Sequence, residues 1–473
     1  MKNMTLINIA KACGGELYHP NPQSEEAAAV EAACVVIDSR KMEKGGVFVA
    51  TKGEKVDGHS FIPSVAQMGA LGVVCEQPPE DVLIPYILVE DSFAALREIA
   101  EFYRKQFTIP IVGITGSVGK TSTKEFIAAV LSRKYRVLKT QGNFNNEVGL
   151  PLTVLSIREE HEAAVLEMGI SNFGEMHRLS KIARPDVCVL TNIGQCHLEN
   201  LGSREGILKA KSEIFDYMNP DGYVFVNGDD DQLIKISQKG SHAPLRFGLG
   251  TANDIFASNV CNKGLLGTQA VIHSSMHVIT VQIPLPGEHM VWNALAAAGV
   301  GFLMGLTAEE IKQGIADVKA VGGRSNVMEL ADGVLIDDCY NANPVSMRAA
   351  LDLLATALGR KVAILGDMFE LGTDEEKLHG EIGTYASDKG IDVLICVGSL
   401  ARCIYEQAIE REKEKSGAME IYHFPTRDEM LSNLPKILKR QDTILVKASH
   451  GMQFEKVVEM IAKNPSVFYT DKC

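Results

Sequence analysis

Residues 113–123, Gly-Ile-Thr-Gly-Ser-Val-Gly-Lys-Thr-Ser-Thr, have the types and spacing needed to bind the phosphates of a nucleotide. A short β-branched run at 109–114 precedes them and predicts a buried strand, and the pattern at 121–133 predicts a helix. Strand, glycine-rich turn and helix is the context of a phosphate-binding loop. Backbone N–H groups and the helix N-terminus attract anionic oxygens there. Lys120 is predicted to reach the terminal phosphates, and Thr121 to place its hydroxyl on Mg²⁺.

One position of this loop departs from the general pattern G-x-x-x-x-G-K. Counting back from Gly119 places Ile114 where a glycine is expected. The glycines stand at 113, 116 and 119 instead. The spacing therefore indicates a particular subtype of the loop.

Candidate metal ligands should lie at strand ends near the loop, because a nucleotide triphosphate needs a cation to neutralise it. Glu167 ends one predicted strand, and His197 follows the next. A histidine ligand is unexpected for Mg²⁺ on general grounds, since hard cations prefer oxygen. Taken singly, Glu167 fits a helix-capping carboxylate equally well. Lys211, on a predicted helix at 206–215, is by default a solvated lysine.

Two further loops are rich in amide side chains. Residues 142–149 read Gly-Asn-Phe-Asn-Asn-Glu-Val-Gly, and residues 338–344 read Asp-Cys-Tyr-Asn-Ala-Asn-Pro. Such loops bind polar ligands, or they cap turns and helices through Asx turns and N-caps. Both interpretations remain open at this point.

The amino-acid composition limits which classes of protein this chain can belong to. With 46% hydrophobic and 23% charged residues, the 473-residue chain has the balance of a globular protein. A net charge of −13 argues against nucleic acid as a partner, because phosphate neutralisation needs a basic face. The longest apolar stretch, 292–306, is too short to span a bilayer, and no secretory signal follows Met1. We expect a cytoplasmic protein without membrane insertion, with its ten cysteines as free thiols.

The alternation of apolar runs with helical patterns predicts an α/β fold, and the length suggests three domains. We place a small α/β domain at 1–90, a central domain with the phosphate-binding loop and a parallel sheet at 91–318, and a βαβ domain at 319–473. In the last domain the predicted strands are 334–337, 362–366, 393–397 and 443–446. Ligands of such sheets bind at the carboxyl ends of the strands.

Taken together, these segments resemble the ATP-dependent Mur ligases of peptidoglycan synthesis, from about residue 38 to 458. The loop at 115–121 is similar to the family's T-G-[ST]-x-G-K-[ST], which lacks the upstream glycine and so accounts for Ile114. Four segments resemble the version found in the member that adds D-alanyl-D-alanine to UDP-MurNAc-tripeptide. They are 143–151, 167–169, 338–347 and 365–372.

The resemblance implies a division of labour among the domains. The first would bind the UDP end of the nucleotide sugar, and its motif at 38–40 contributes Ser39 and Arg40. The central domain would bind ATP and two Mg²⁺ ions. The third, a Rossmann-like domain, would close over it and bind the D-Ala-D-Ala amine substrate. A monomer acting on these small molecules is expected.

The resemblance also implies residue roles. The implied catalytic residues are Lys120, Glu167, His197 and Lys211. Thr121 and Glu167 would hold one Mg²⁺ and His197 the second, while Lys211 matches a lysine that is carbamylated in relatives. The implied ATP contacts are Gly116, Ser117, Gly119, Lys120, Thr121, Ser122, Asn293, Arg324 and Asp338. The implied substrate contacts are Ser39, Arg40, Asn145, Asn146, Asn341 and Asn343.

The implied reaction is amide ligation through an acyl phosphate. Two alternatives remain: a related ligase with another amine substrate, such as the tripeptide-forming Mur ligase or a folylpolyglutamate synthase, and a nucleotide-binding switch without ligase activity. One motif departs from the family, since His450 stands where many relatives carry arginine in Lys-Gly-Ser-Arg. We therefore leave His450 out of the catalytic set.

Overall fold

The computed structural model describes residues 1–20, 26, 28–80, 84–238 and 241–463. The described strands form three sheets, which succeed one another along the chain. This confirms the predicted α/β class and its three sheet-containing regions.

The first sheet has the strand order β1-β5-β4-β3-β2 and is parallel except for the β1–β5 pair. Its strands are short, and the side chains of β3 and β4 are buried throughout. Its elements are α1 (Leu6–Cys13), β1 (Glu16–Tyr18), β2 (Val35–Val36), β3 (Val47–Val49), α2 (Ile62–Gln67), β4 (Gly72–Cys75) and β5 (Tyr86–Leu88).

The central sheet has the order β14-β13-β12-β11-β10-β9-β6-β8-β7. Pairing is parallel from β7 to β12 and antiparallel for β13 and β14. Its strands are β6 (Ile111–Thr115), β7 (Val137–Lys139), β8 (Ala163–Glu167), β9 (Val187–Leu190), β10 (Tyr223–Asn227), β11 (Leu245–Gly248), β12 (Ile255–Asn262), β13 (Thr268–His273) and β14 (Val278–Ile283).

Helices cover both faces of this parallel sheet, so its strands are almost continuously apolar. The helices are α3 (Ser92–Arg104), α4 (Lys120–Leu131), α5 (Gly149–Val154), α6 (Glu175–Ala183), α7 (Leu198–Leu201), α8 (Arg204–Ser212), α9 (Met290–Leu303) and α10 (Ala308–Ala316). The Ala/Gly-rich α9 lies against α4, and a Cβ on Gly301 would come within 2.8 Å of Val130 Cγ1. The small residues of α9 therefore permit the two helices to pack closely.

Helix α3 joins the first two sheets. It packs against α1 on one side and against α5 and α6 on the other. Its buried Tyr103 donates a hydrogen bond of 2.7 Å to the Ile157 carbonyl. A single apolar core consequently runs from the first sheet into the central one.

The third sheet has the order β15-β16-β20-β17-β18-β19, parallel except for the β15–β16 hairpin. The predicted βαβ alternation is present. Its elements are β15 (Asn326–Leu330), β16 (Gly333–Asp337), α11 (Pro344–Ala355), β17 (Lys361–Gly366), α12 (Glu375–Asp388), β18 (Val393–Val397), α13 (Ala401–Lys415), β19 (Glu420–Phe424), α14 (Arg427–Ile437), β20 (Asp442–Lys447) and α15 (Glu455–Lys463).

Within the described ranges, no helix is both long enough and apolar enough to cross a membrane. The apolar stretch around α9 lies in the protein core instead. The cysteines of the described residues are free thiols, as expected.

Candidate active site

A cavity of about 620 Å³ lies where the carboxyl ends of the central strands face those of the third sheet. Both sets of strand ends contribute to its wall, as expected for parallel sheets. Most of the predicted site residues line it: Ser117, Gly119, Lys120, Thr121, Ser122, Asn145, Asn146, Glu167, His197, Asn293, Arg324, Asp338, Asn341 and Asn343.

The phosphate-binding loop connects β6 to α4, which begins at Lys120. Gly116 and Gly119 both have positive φ, 149° and 83°, which favours glycine. Asn192, just after β9, holds the loop: its carbonyl accepts from the Ser117 N–H at 3.0 Å, and its Oδ1 accepts from the Val118 N–H at 2.8 Å. Ile114 is fully buried within β6. The position of the absent glycine therefore belongs to the strand, where an apolar side chain fills the core.

Lys120 is folded back onto its own loop. Its Nζ donates to the Gly116 carbonyl at 2.8 Å and to the Ser117 carbonyl at 3.4 Å. Burial lowers the pKa of this amine from its ordinary value. A phosphate group in the cavity offers the ammonium a charged acceptor in place of two neutral carbonyls, and charge-assisted bonds are the stronger ones.

Glu167 lies at the end of β8 and is almost fully buried. The Thr121 hydroxyl donates to its carboxylate, at 2.9 and 3.0 Å from the two oxygens. Asn145 Nδ2 donates to Oε1 at 2.8 Å, and Lys124 Nζ lies 3.9 Å from Oε2. The carboxylate thus faces the helix that follows the phosphate-binding loop, with a hydroxyl and an amide beside it.

His197 immediately precedes the short helix α7 and has a left-handed backbone, with φ 54°. Its Nδ1 lies 2.6 Å from Oε2 of Glu370, a residue of the third region of the chain. Burial lowers the pKa of the imidazole; Glu370 acts against this effect, while Lys211 and Lys120 add to it.

Lys211 is 1% exposed and lies on α8. The default interpretation of this residue alone, a solvated lysine, is therefore wrong. Burial, reinforced by Lys120, lowers the pKa of its amine to about 8, against an opposing contribution from Cys196. A substantial fraction of this amine is neutral in mildly alkaline solution.

The donors at this end of the cavity suit Mg²⁺ when nucleotide oxygens complete the set. Thr121 and Glu167 supply hydroxyl and carboxylate oxygens, the ligands that hard cations prefer. In the part of the chain that the structure describes, no cluster of three or more His, Cys, Asp or Glu side chains could hold a metal ion. An ion held here would thus depend on the Thr121 hydroxyl and on phosphate, as is common for Mg²⁺.

The opposite wall comes from the segment after β16. The Arg324 guanidinium lies 4.1 Å from the centroid of the Tyr340 ring, close enough for a cation–π contact. Asp338 Oδ2 accepts from the buried Lys447 Nζ at 2.7 Å. Asn293 Oδ1, on α9, accepts from the Thr123 hydroxyl at 2.9 Å.

Four of the predicted residues do not line the cavity. Gly116 belongs to the phosphate-binding loop, where its carbonyl accepts from Lys120 Nζ, and Lys211 is buried on α8. Ser39 and Arg40 belong to the first region, where Arg40 is solvent-exposed and pairs with Asp38 at 2.8 Å. The geometry does not bring this pair to the phosphate-binding loop.

Of the predicted amides, one caps a helix and another caps the turn that precedes a helix. Asn343 Oδ1 accepts from the Ser346 N–H at 2.9 Å and forms a capping box at α11. Asn146 Oδ1 accepts from the Gly149 N–H at 2.9 Å at the start of α5. The capping interpretation thus accounts for both side-chain oxygens, and the substrate-binding role of these residues stays a prediction.

Sequence reasoning assigned no role to Asn192, Tyr340, Glu370 or Lys447. Tyr340 and Glu370 lie inside segments that carry the resemblance, and Lys447 directly follows the strand predicted at 443–446. For these three residues, their place in the sequence was the feature that could have identified them as site residues. Asn192 had no signal beyond following a strand.

The fold and the cavity define a three-domain P-loop protein whose nucleotide site is shared between the carboxyl edges of two sheets. Family models match three stretches: "Mur ligase family, catalytic domain" at 31–104, "Mur ligase middle domain" at 114–301, and "Mur ligase, glutamate ligase domain" at 323–450. The chain is 38% identical to the UDP-N-acetylmuramoyl-tripeptide–D-alanyl-D-alanine ligase of Bacillus subtilis, over 98% of this chain and 100% of that one. The chain belongs to the Mur ligase family, which confirms the resemblance.

Solved structures agree. MurF from Acinetobacter baumannii matches with a TM-score of 0.87 at 31% identity, over 97% of this chain and 99% of that one. The MurF ligase of Thermotoga maritima in complex with ADP matches with a TM-score of 0.80 at 31% identity, over 92% and 98%.

Proposed function

We propose that this chain is an ATP-dependent ligase that adds D-alanyl-D-alanine to UDP-N-acetylmuramoyl-tripeptide in peptidoglycan precursor synthesis. The observation that carries this function is the end-to-end match to the ligase of that name at 38% identity. The cavity at the shared sheet edges supports it, because it brings the phosphate-binding loop opposite the segment 338–347. The ADP complex of the Thermotoga maritima relative supports a bound nucleotide.

Ligation requires activation, because a carboxylate is a poor electrophile with a poor leaving group. A terminal carboxylate oxygen of the tripeptide attacks the γ-phosphorus of ATP, and ADP leaves. The amine of D-Ala-D-Ala then attacks the carbonyl carbon of the acyl phosphate. The tetrahedral intermediate expels phosphate and the amine loses a proton, which leaves an amide, ADP and phosphate as products.

Lys120 is poised for the first step. Its ammonium would leave the carbonyls of Gly116 and Ser117 for the β- and γ-phosphates, where it offsets negative charge. Thr121 and Glu167 would hold one Mg²⁺ and His197 a second. The ions would supply electrostatic neutralisation of phosphate and carboxylate.

Lys211 would contribute as a carbamate. Its pKa of about 8 supports this role, because only the neutral amine reacts with CO₂. The nitrogen lone pair attacks the carbon of CO₂ and one proton leaves. A buried cation thereby becomes a carboxylate-like anion, which fits a position close to two metal ions.

The domain assignment is part of the proposal. Residues 1–90 would bind the UDP end, with Ser39 and Arg40 as contacts, and 319–473 would bind the amine substrate together with Asn341 and Asn343. Asn145 and Asn146 would contact the substrate from the central domain, 91–318. We infer a monomer that acts in the cytoplasm on these small molecules, without nucleic acid.

Phosphate release tests the function. The complete mixture contains ATP, Mg²⁺, UDP-MurNAc-tripeptide and D-Ala-D-Ala, and each is omitted in turn. We expect release to require all of them, and Lys120→Ala to abolish it while Lys312→Ala, a surface lysine paired with Glu309, retains it. Release without the dipeptide, or equal turnover with another amino acid, would refute the assignment. Full turnover of Lys120→Ala would refute the role of the loop.

A further inference from the structure

We propose that Glu370 is a positioning residue for His197: it crosses from the third sheet region to orient the imidazole toward the cavity. This inference rests on the proposed function for its place in the reaction. Its structural basis is a contact between residues of two different regions of the chain.

The contact engages one particular nitrogen. His197 Nδ1 is buried from solvent and lies 2.6 Å from Glu370 Oε2, an ion-pair contact that is short in distance but not aligned as a hydrogen bond. The His197 side chain is nevertheless 23% exposed and lines the cavity. The part of the ring that reaches the cavity is therefore not Nδ1, and Nε2 is the nitrogen left for a ligand.

Both backbones adopt a conformation that is uncommon for residues with a side chain. His197 has φ 54° and Glu370 has φ 61°. A left-handed residue with a side chain carries a steric cost and persists only where its surroundings determine it. Because both residues adopt this conformation where they meet, the backbone on each side of the contact fixes the position of its own side chain.

The loop that carries Glu370 is anchored on its N-terminal side. The fully buried His379 accepts from the Met368 N–H at 2.8 Å through Nε2, and its Nδ1 donates to the Glu375 carbonyl at 2.7 Å. Ser449 Oγ accepts from the Phe369 N–H at 2.9 Å. The backbone that leads directly into Glu370 is thereby held against α12 and the end of β20.

The loop also lies against the segment that follows His197. A Cβ placed on Gly372 would lie 3.8 Å from the Glu199 backbone nitrogen, an ordinary contact distance. Helix α7, which starts right after His197, consequently touches the same loop that supplies Glu370.

A carboxylate on one imidazole nitrogen fixes the ring orientation and increases the basicity of the other nitrogen as a ligand. Here the carboxylate belongs to the region that would bind the amine substrate. His197 is thus oriented only when the third sheet region faces the central one, which links domain closure to assembly of the site.

Mn²⁺ binding tests the proposal. The full-length protein is titrated with Mn²⁺ in the presence of a non-hydrolysable ATP analogue, and free Mn²⁺ is measured by electron paramagnetic resonance. Removing an outer carboxylate of this kind typically weakens metal binding about 10–100-fold. We expect that loss for one ion in Glu370→Ala, and a smaller loss in Glu370→Gln, which keeps an acceptor oxygen. Glu376→Gln, an exposed charge on the neighbouring α12, should bind like the parent.

Spin-echo modulation from a bound imidazole nitrogen gives the second readout. We expect it in the parent, and its loss in both His197→Ala and Glu370→Ala. Parent-like Mn²⁺ affinity and modulation in Glu370→Ala would overturn the proposal, as would equal losses in Glu376→Gln or no loss in His197→Ala. No peptide substrate is present, so these outcomes are independent of the phosphate-release experiment.

Discussion

Replacing Lys211 by methionine should stabilise the protein while removing ligase activity. The lysine is 1% exposed, and burial is the main reason that its pKa falls from 10.5 to about 8. At about 1.36 kcal/mol per pKa unit, that difference is roughly 3 kcal/mol of stability lost at neutral pH. Methionine keeps much of the apolar stem without the charge, so we expect a gain of about 1–3 kcal/mol at pH 7.

The protonation of Lys211 makes the free energy of unfolding depend on pH. Between pH 8 and 10.5 the unfolded chain retains the Lys211 proton that the folded protein has lost, so the stability of the parent rises with pH in that window. Below about pH 8 the full cost of burying the cation is present. The advantage of Lys211→Met should therefore be largest at pH 7 and shrink toward zero as pH approaches 10.5.

Urea unfolding followed through the fluorescence of Trp292, the only tryptophan, measures this in the central region. The experiment uses CO₂-free buffer at pH 7 and 9.5, because carbamylation would also remove the charge. Lys209→Met, an exposed lysine on the same helix, is the matched control and should change stability by less than about 0.5 kcal/mol. A Lys211→Met protein that is less stable than the parent at pH 7, or whose advantage does not change with pH, would refute the reasoning.

Three further predictions concern the loop, the carboxylate and the third sheet. Gly116→Ala places a Cβ 1.9 Å from Thr191 Oγ1, so the loop must shift, and calorimetry should show ADP affinity reduced by at least about 10-fold. Glu167→Gln removes the negative charge of the carboxylate that faces Thr121 and should lower the apparent Mg²⁺ affinity in phosphate release by at least about 10-fold. Arg360→Ala leaves the buried Asp442, 3.0 Å away in the parent, without its cation, and should destabilise the third region by about 3–5 kcal/mol in thermal unfolding.

Each of these has a clear contrary result. Unchanged ADP binding in Gly116→Ala would mean that the loop can shift without losing affinity for ADP. A parental Mg²⁺ titration for Glu167→Gln would remove that residue from the metal site. An Arg360→Ala protein as stable as the parent would contradict the prediction and would mean that other groups compensate the Asp442 carboxylate. In that case, also removing Asp442 would not raise the stability of the variant.

The local patterns of this chain were predictable because they depend on neighbours in sequence. The strand predicted to end at Glu167 is observed as β8 (Ala163–Glu167), because a short apolar run suits a strand that is covered on both faces. The loop at 113–123 and its role were equally visible, because the glycines and the Lys-Thr pair are contiguous. Helix ends were less certain: the predicted 121–133 is observed as Lys120–Leu131, because hydrogen bonding rather than periodicity sets the last turn.

Only the tertiary structure decided what surrounds each chemical group. Lys211 looked like a solvated lysine, and its burial makes it a cation that is costly to keep charged. His197 and Glu370 belong to segments far apart in the chain, and no periodicity connects them. Their contact exists because parallel strands of two sheets present their carboxyl ends to one cavity, and that juxtaposition is a property of the packing.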